Sequence, residues 1–231
     1  MLGRHLGCSA KVFWRIDLFL KDSAELISGN GKPIVPANAG SVSIRLTTDR
    51  LKIMAPRYVM LFQYGSNMDP NRLNGADRLN GSAEAVSVAR LRGWGIRFDL
   101  YSEGENHCGV TDIVPTAREH VEGVLYKVPY RKVIAPRGER SAMDIIEGAG
   151  LGKRSNYKRR KVFVWTRGKK TEARTYLGTA PGRKRFLERS SEDRRVSREY
   201  FGHLLKGARR FKFSKRYIAY LRMQAGRLKF R

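Results

Sequence analysis

The sequence predicts an α+β fold built on a largely antiparallel or barrel-like sheet. Two observations carry this expectation. Short apolar runs of strand length fill residues 58–177, and the helix starts followed by long apolar stripes come after them. No regular alternation of strand and helix occurs, which disfavours a doubly wound parallel sheet. The 231 residues suffice for one generous domain or two small ones. A chain of this length can build its core without disulfides or a metal staple. Its two cysteines, Cys8 and Cys108, exclude a disulfide scaffold. No apolar run approaches the ~20 residues of a spanning helix.

Residues 1–53 differ from the rest. They show no clear alternation, and turn formers cluster at Gly29–Gly40. Arg15 and Asp17 interrupt the apolar stretch Val12–Leu20, which argues against a secretory signal. Asp17, Asp22 and Glu25 have the wrong sign for a transit peptide. The expectation is a poorly ordered extension arising from an early start, with Met54 or Met60 as the natural first residue. Residues 54–231 would then form the folded domain.

The elements follow in order. Tyr58–Tyr64 is an apolar run of strand length, halted by Gly65-Ser66-Asn67. Asp69-Pro70 suggests a helix start with proline at the first helical position. Ala85–Leu91, Gly95–Leu100, Val110–Val114 and Val121–Val128 read as further strands. Ser141 and Asp144 form a capping-box-like start leading to Glu147. Lys161–Thr166 and Ala173–Leu177 are two more strands. Ser197 can cap a helix whose stripe is Tyr200, Phe201, Leu204, Leu205 and Ala208. Ser214 can cap another, carrying Tyr217, Ile218 and Leu221.

The formal net charge is +26, and it is unevenly spread. Residues 1–53 carry 8 basic and 4 acidic residues, residues 54–130 carry 8 and 9, and residues 131–231 carry 31 and 8. The densest runs, Lys158–Lys161, Arg183–Arg185 and Arg209–Arg216, are interleaved with Tyr157, Phe163, Trp165, Phe211 and Phe213. Cations mixed with aromatics suit nucleic-acid backbones and stacked bases. The same spacing also fits a solvated basic face whose aromatics point into the core, and this second reading is preferred.

Several catalytic patterns fail. Gly148, Gly150, Gly152 and Lys153 miss the phosphate-loop spacing, and Arg154 stands where Ser or Thr is needed. A flexible turn is the better reading. His5, His107, His120 and His203 are scattered, and no metal-ligand spacing joins them to Cys108. Ser66 follows a strand at a tight turn, but Tyr64 and Met68 stand where a nucleophile elbow has glycines. That turn is either plain or an anion nest of consecutive N–H groups, able to hold a carboxylate. Glu147 follows Ile145-Ile146 and precedes glycines. It is either a surface partner for one of the many arginines or a partly buried carboxylate with the raised pKa of a general base.

The ordered motifs resemble a family. Leu61–Met68 (LFQYGSNM) resembles the opening strand and loop of the γ-glutamylcyclotransferases, which include the avirulence-induced-gene type proteins. The resemblance continues through Ala89–Trp94, Arg97-Phe98-Asp99, Gly109–Pro115 and Glu122–Tyr126. It runs on through Asp144-x-x-Glu147-Gly148, Tyr157, Val162–Trp165 and Arg174-Thr175-Tyr176 to Ser197–Tyr200, Gly207-Ala208 and Tyr217–Leu221. It spans roughly residues 58–221 and leaves residues 1–53 without a counterpart. The loop from Glu147 to Tyr157 is a few residues longer than usual.

The resemblance implies an α+β fold: a small mixed, barrel-like sheet around a central cavity, with flanking helices. It implies cofactor-free cyclisation of a γ-glutamyl group to 5-oxoproline, releasing an amine or amino acid. By its match Glu147 is the base and then the acid. Leu61, Phe62, Gln63, Tyr64, Gly65, Ser66 and Asn67 form the substrate-binding loop, mainly through backbone groups of Tyr64, Gly65 and Ser66. Tyr200 matches a substrate-contacting tyrosine. The expected partner is a small-molecule γ-glutamyl compound, with no metal, cofactor or membrane, for a cytoplasmic monomer or homodimer. The alternative is a basic nucleic-acid- or anion-binding protein on the same scaffold, without catalysis.

Overall fold

The computed structural model describes residues 57–104, 106–150, 152–228 and 230. The expected extension at 1–53, with its turn cluster, lies outside the described residues. The first apolar run is strand β1, Tyr58–Gln63, whose last three residues are buried. A single 3-10 turn, Ser66–Met68, follows. Asp69 then caps the one-turn helix α1, Pro70–Leu73, by accepting the Asn71 N–H at 3.2 Å. Pro70 at the first position has no N–H to leave unpaired.

The next four strand-like runs are two strands. β2 is Glu84–Tyr101 and β3 is Gly109–Pro129, 18 and 21 residues long, paired antiparallel. Their register shifts between Ala85 and Ser87, Arg92 and Trp94, and Arg97 and Leu100. Each shift bends the ladder and adds twist, so the long hairpin curls rather than lying flat. The polar residues Arg92-Gly93 and Thr116–His120 divide each strand into two apolar runs in the sequence without ending it.

After β3 come the short helices α2, Tyr130–Val133, and α3, Ala142–Ile146. The capping box is present: the Ser141 hydroxyl accepts the Asp144 N–H at 3.1 Å, and the Asp144 carboxylate accepts the Ser141 N–H at 2.9 Å. Gly148, Gly150 and Gly152 take φ of +61°, +77° and +58°, the left-handed backbone of a turn, as expected of that stretch. β4, Tyr157–Thr166, and β5, Lys169–Gly178, form an antiparallel hairpin around Arg167 and Gly168. Both turn residues have positive φ, which matches the twist of a two-residue hairpin.

The strand order is β1-β3-β2-β4-β5, and the sheet closes where β5 runs parallel to β1 at Leu61 and Arg174. The result is a small mixed barrel with flanking helices. Its core includes Leu61, Phe62, Ile96, Ile113, Leu125 and Val164, all without solvent contact. Three helices complete the chain: α4, Ala180–Leu187; α5, Arg198–Arg210; and α6, Lys215–Gly226. Ser197 and Ser214 cap α5 and α6 by accepting the N–H of Tyr200 and Tyr217, each at 3.1 Å. The α5 stripe is buried except for the partly covered Leu205.

Helix α5 sits on the turn after β1. A side chain at Gly207 would come within 2.8 Å of the Met68 Cβ and 2.9 Å of the Asp69 nitrogen, so only glycine permits this approach. The Tyr126 hydroxyl donates to the Met68 carbonyl at 2.8 Å, and Lys206 pairs with Asp69 at 3.3 Å. The turn is thus fixed from the sheet side and from the helix side. Among the described residues, no helix is long and apolar enough to cross a membrane.

The interleaved aromatics divide. Phe213 is buried, and Phe211 and Tyr157 are partly buried, as a core role requires. Phe163 and Trp165 are exposed, which corrects the expectation that such aromatics point inward. They occupy the outward positions of β4, between the buried Val162 and Val164.

Candidate active site

A cavity of about 440 Å³ opens beside the end of β1. Glu147 enters it from the C-terminal cap of α3. Its Oε1 accepts the Asn67 side-chain amide at 3.0 Å and the Gln63 side-chain amide at 3.2 Å. Among the described residues, Oε2 accepts no hydrogen bond. Arg78 donates to the Asn67 carbonyl oxygen at 3.2 Å, which orients the amide so that its NH₂ faces Glu147.

The Glu147 side chain keeps some solvent contact at the cavity but is enclosed by protein elsewhere. Burial pushes its pKa up. The bonds from Asn67 and Gln63 and the charges of Arg78 and Arg72 oppose the rise without cancelling it. Both arginines come from the electrically ordinary middle of the chain. The cations that act on Glu147 are therefore not the ones that dominate the net charge. Arg154 does line the cavity, on the long loop before β4.

Helix α3 has five residues, too few to hold its own position, so its anchors matter. Asp144 supplies them. Its carboxylate accepts the Ser141 N–H and hydroxyl, the Tyr176 hydroxyl at 2.9 Å, and Arg159 at 3.0 and 2.8 Å. Burial alone would raise the Asp144 pKa, but these donors hold it below the ordinary carboxylate value. The network reaches β4 through Arg159 and β5 through Tyr176. The Tyr64 hydroxyl donates to the Tyr176 carbonyl at 2.6 Å, which links the same network to the loop after β1.

The opposite wall is built on Thr111 of β3. Tyr200 accepts the Thr111 N–H at 3.0 Å and shares a hydrogen bond with its hydroxyl at 2.8 Å, while the Tyr157 hydroxyl donates to the Thr111 carbonyl. A side chain at Gly65 would meet the Thr111 hydroxyl at 2.6 Å. Glycine there keeps the loop against the wall. Tyr64, Tyr157, Tyr176 and Tyr200 all line the cavity, and burial raises the pKa of each, Tyr200 to about 12. They remain neutral at physiological pH and act as hydrogen-bonding groups.

Of the residues expected at the site, Gln63, Tyr64, Gly65, Ser66, Asn67, Glu147 and Tyr200 line this one cavity. Leu61 and Phe62 do not: both side chains are buried in the barrel core. Sequence reasoning missed Arg72, Arg78, Thr111 and Asn156, which also line it. No motif marks them, and only the closed fold brings them near Glu147. Within the turn, the Met68 and Asp69 N–H groups donate to the Gly65 and Ser66 carbonyls. His107 and His120 are exposed, and among the described residues no three His, Cys, Asp or Glu side chains gather in metal-binding geometry.

A family model described as gamma-glutamyl cyclotransferase, AIG2-like, matches residues 61–200. The chain belongs to this family. The match begins in β1 and ends at Tyr200, so it contains Glu147 and every cavity residue named above. No curated protein matches the chain. The same fold occurs in a solved structure named gamma-glutamyl cyclotransferase, at 23% identity and a TM-score of 0.55, covering 72% of this chain and 87% of that one. It also occurs in an uncharacterized human protein, at 24% identity and a TM-score of 0.55, covering 71% and 86%. YkqA from Bacillus subtilis matches at 22% identity and a TM-score of 0.55, covering 76% of this chain and 56% of its own. These likenesses are of fold. Family membership makes this AIG2-like chain cyclotransferase-like and its partner a small molecule.

Proposed function

We propose that this cyclotransferase-like chain cyclises a γ-glutamyl group to 5-oxoproline and releases an amine or amino acid, without a cofactor. The α-amine of the substrate is mostly protonated at neutral pH and cannot attack in that form. Glu147 removes that proton. The amine nitrogen then bonds to the γ-carbonyl carbon, Glu147 gives its proton to the γ-amide nitrogen as that C–N bond breaks, and the second proton of the new ring nitrogen passes to the departing amine, which leaves as its ammonium. Atoms and charge balance with no other reactant.

The observation that carries this reading is the asymmetric setting of Glu147. One oxygen is held by two amides, and the other has no partner among the described residues. A base needs that combination: a fixed orientation and an uncommitted lone pair. In this reading the backbone of Tyr64, Gly65 and Ser66 holds the α-carboxylate, and Tyr200 contacts the substrate from the Thr111 wall. Enclosure by the tyrosines keeps the substrate folded for ring closure, where proximity supplies much of the acceleration.

The test is 5-oxoproline release from a panel of γ-glutamyl amino acids, γ-glutamyl amines and glutathione. At least one member should turn over, and Glu147→Gln should slow it by about 10²–10⁴-fold with the fold intact. Full activity in that variant overturns the role of Glu147. A panel with no turnover overturns the reaction.

A further inference from the structure

We propose that the outer face of the β4–β5 hairpin is a binding surface for single-stranded nucleic acid. Trp165 and Phe163 stand on this face, 37% and 48% exposed. Alternation along β4 puts the core on Val162 and Val164 and leaves these two rings outside. Two large aromatics on one strand thus keep a third to a half of their surface outside the fold and offer it to a partner.

Their neighbours define the partner. Arg90 of β2 and Lys170 of β5 are both registered opposite Trp165, so a three-strand row reads cation, indole, cation. The Arg92 guanidinium lies 4.6 Å from the Trp165 ring centre, and the Lys170 ammonium lies 4.8 Å from that of Phe163. The hairpin, residues 157–178, holds eight basic residues and one acid, Glu172, which is paired with Lys161 at 3.1 Å. Arg90 also pairs with the buried Glu122 at 3.2 Å. Alternation places Lys161, Lys170 and Arg174 on the same side as the two rings, while Arg159 is committed to Asp144; with Arg92 they give the face a positive field.

A partner for this face must be polyanionic and must carry flat rings. Single-stranded nucleic acid has both: its phosphates meet the cations and its bases stack on the exposed aromatics. Base stacking on aromatics of an open sheet face is an established physical mode of single-strand recognition. A duplex keeps its bases stacked on one another and cannot use the rings. A lipid surface fits less well, because the hairpin tip is Arg167-Gly168-Lys169 and offers nothing apolar to insert. The surface is separate from the cavity, since neither Trp165 nor Phe163 lines it.

The test is fluorescence anisotropy with a labelled 12-nucleotide single-stranded oligonucleotide of mixed sequence and the full chain. Binding should appear at low salt and weaken steeply as salt rises. Phe163→Ala and Trp165→Ala should each weaken it about 5–100-fold, as the loss of one stacked base does. Lys170→Glu, which leaves both rings in place, should weaken it too. All three variants should release 5-oxoproline as the parent chain does from any substrate the parent turns over, so the surface and the cavity are read independently. No binding at low salt overturns the proposal, as does binding that the aromatic variants leave unchanged. Preferential binding to vesicles of phosphatidylserine and phosphatidylcholine, lost in the same variants, would assign the face to membranes instead.

Discussion

Asn67 and Glu147, 80 positions apart in the chain, meet at 3.0 Å in the cavity, and Gln63 reaches the same carboxylate oxygen. Both amides donate to the ionised form and therefore hold the Glu147 pKa below the value that burial alone would impose. Removing one donor must raise that pKa further. In Asn67→Ala, the acid limb of the kcat/KM profile should move to higher pH than in the parent, because the base has to lose its proton before it acts. Gln63→Ala should move it in the same direction. An acid limb that stays in place, or moves down, would break the link between these amides and the titrating group.

The three-way contact of Asp144 with Ser141, Arg159 and Tyr176 makes it the main anchor of α3. Asp144→Ala leaves the partly buried Arg159 and the Tyr176 hydroxyl without their acceptor. Breaking such a pair typically costs about 3–5 kcal/mol. A large fall in Tm should follow, together with loss of activity, because Glu147 rides on this helix. The pH dependence has a definite sign. The Asp144 pKa is depressed in the folded chain, so its contribution is full at neutral pH and is lost as pH falls through that depressed value. The parent chain should therefore lose stability in acid more steeply than Asp144→Asn. Equal acid sensitivity of the two, by thermal melts across pH 2–7, would contradict this.

Local chemistry made much of this readable in advance. Ser141, Ser197 and Ser214 each cap a helix because a short hydroxyl side chain satisfies an N–H that the helix cannot. The apolar run before Gly65 is a strand for the same local reason. What stayed hidden depends on closure. The bulges that join two apolar runs into β2 look like turn signals, since Arg92 and Gly93 are polar and flexible. Leu61 and Phe62 stand beside the binding loop in sequence, yet the barrel turns both inward. Arg72 and Arg78 carry no motif, and their role near Glu147 exists only once β1 has brought α1 and α3 together. Phe163 and Trp165 have the alternation of core residues, and only the side on which Val162 and Val164 are buried decides that they face out.

A second carboxylate pair gives a prediction that does not depend on the reaction. Arg183 donates its Nε to Asp112 at 2.8 Å, and Asp112 also accepts the N–H groups of Ile113 and Gly178, each at 2.7 Å. Asp99 lies farther away, 3.6 Å from the same guanidinium, and among the described residues its buried Oδ1 has no hydrogen-bond partner. One cation thus serves two acids, and Asp99 is the poorly served one. Burial, and then the nearby charge of Asp112, push its pKa up to about 6. A raised carboxylate pKa means that the folded chain holds this proton more tightly than the unfolded chain does. Stability from this group is full below the unfolded value and falls as pH rises toward about 6. Asp99→Asn keeps the shape and removes the charge. Its stability relative to the parent, read from thermal melts, should climb between about pH 4 and pH 6 and then level off at a gain on the order of 2–3 kcal/mol. Taking the difference between the two proteins cancels the acid sensitivity contributed by every other group. A difference that is flat across this range would mean that Arg183 serves Asp99 as well as it serves Asp112.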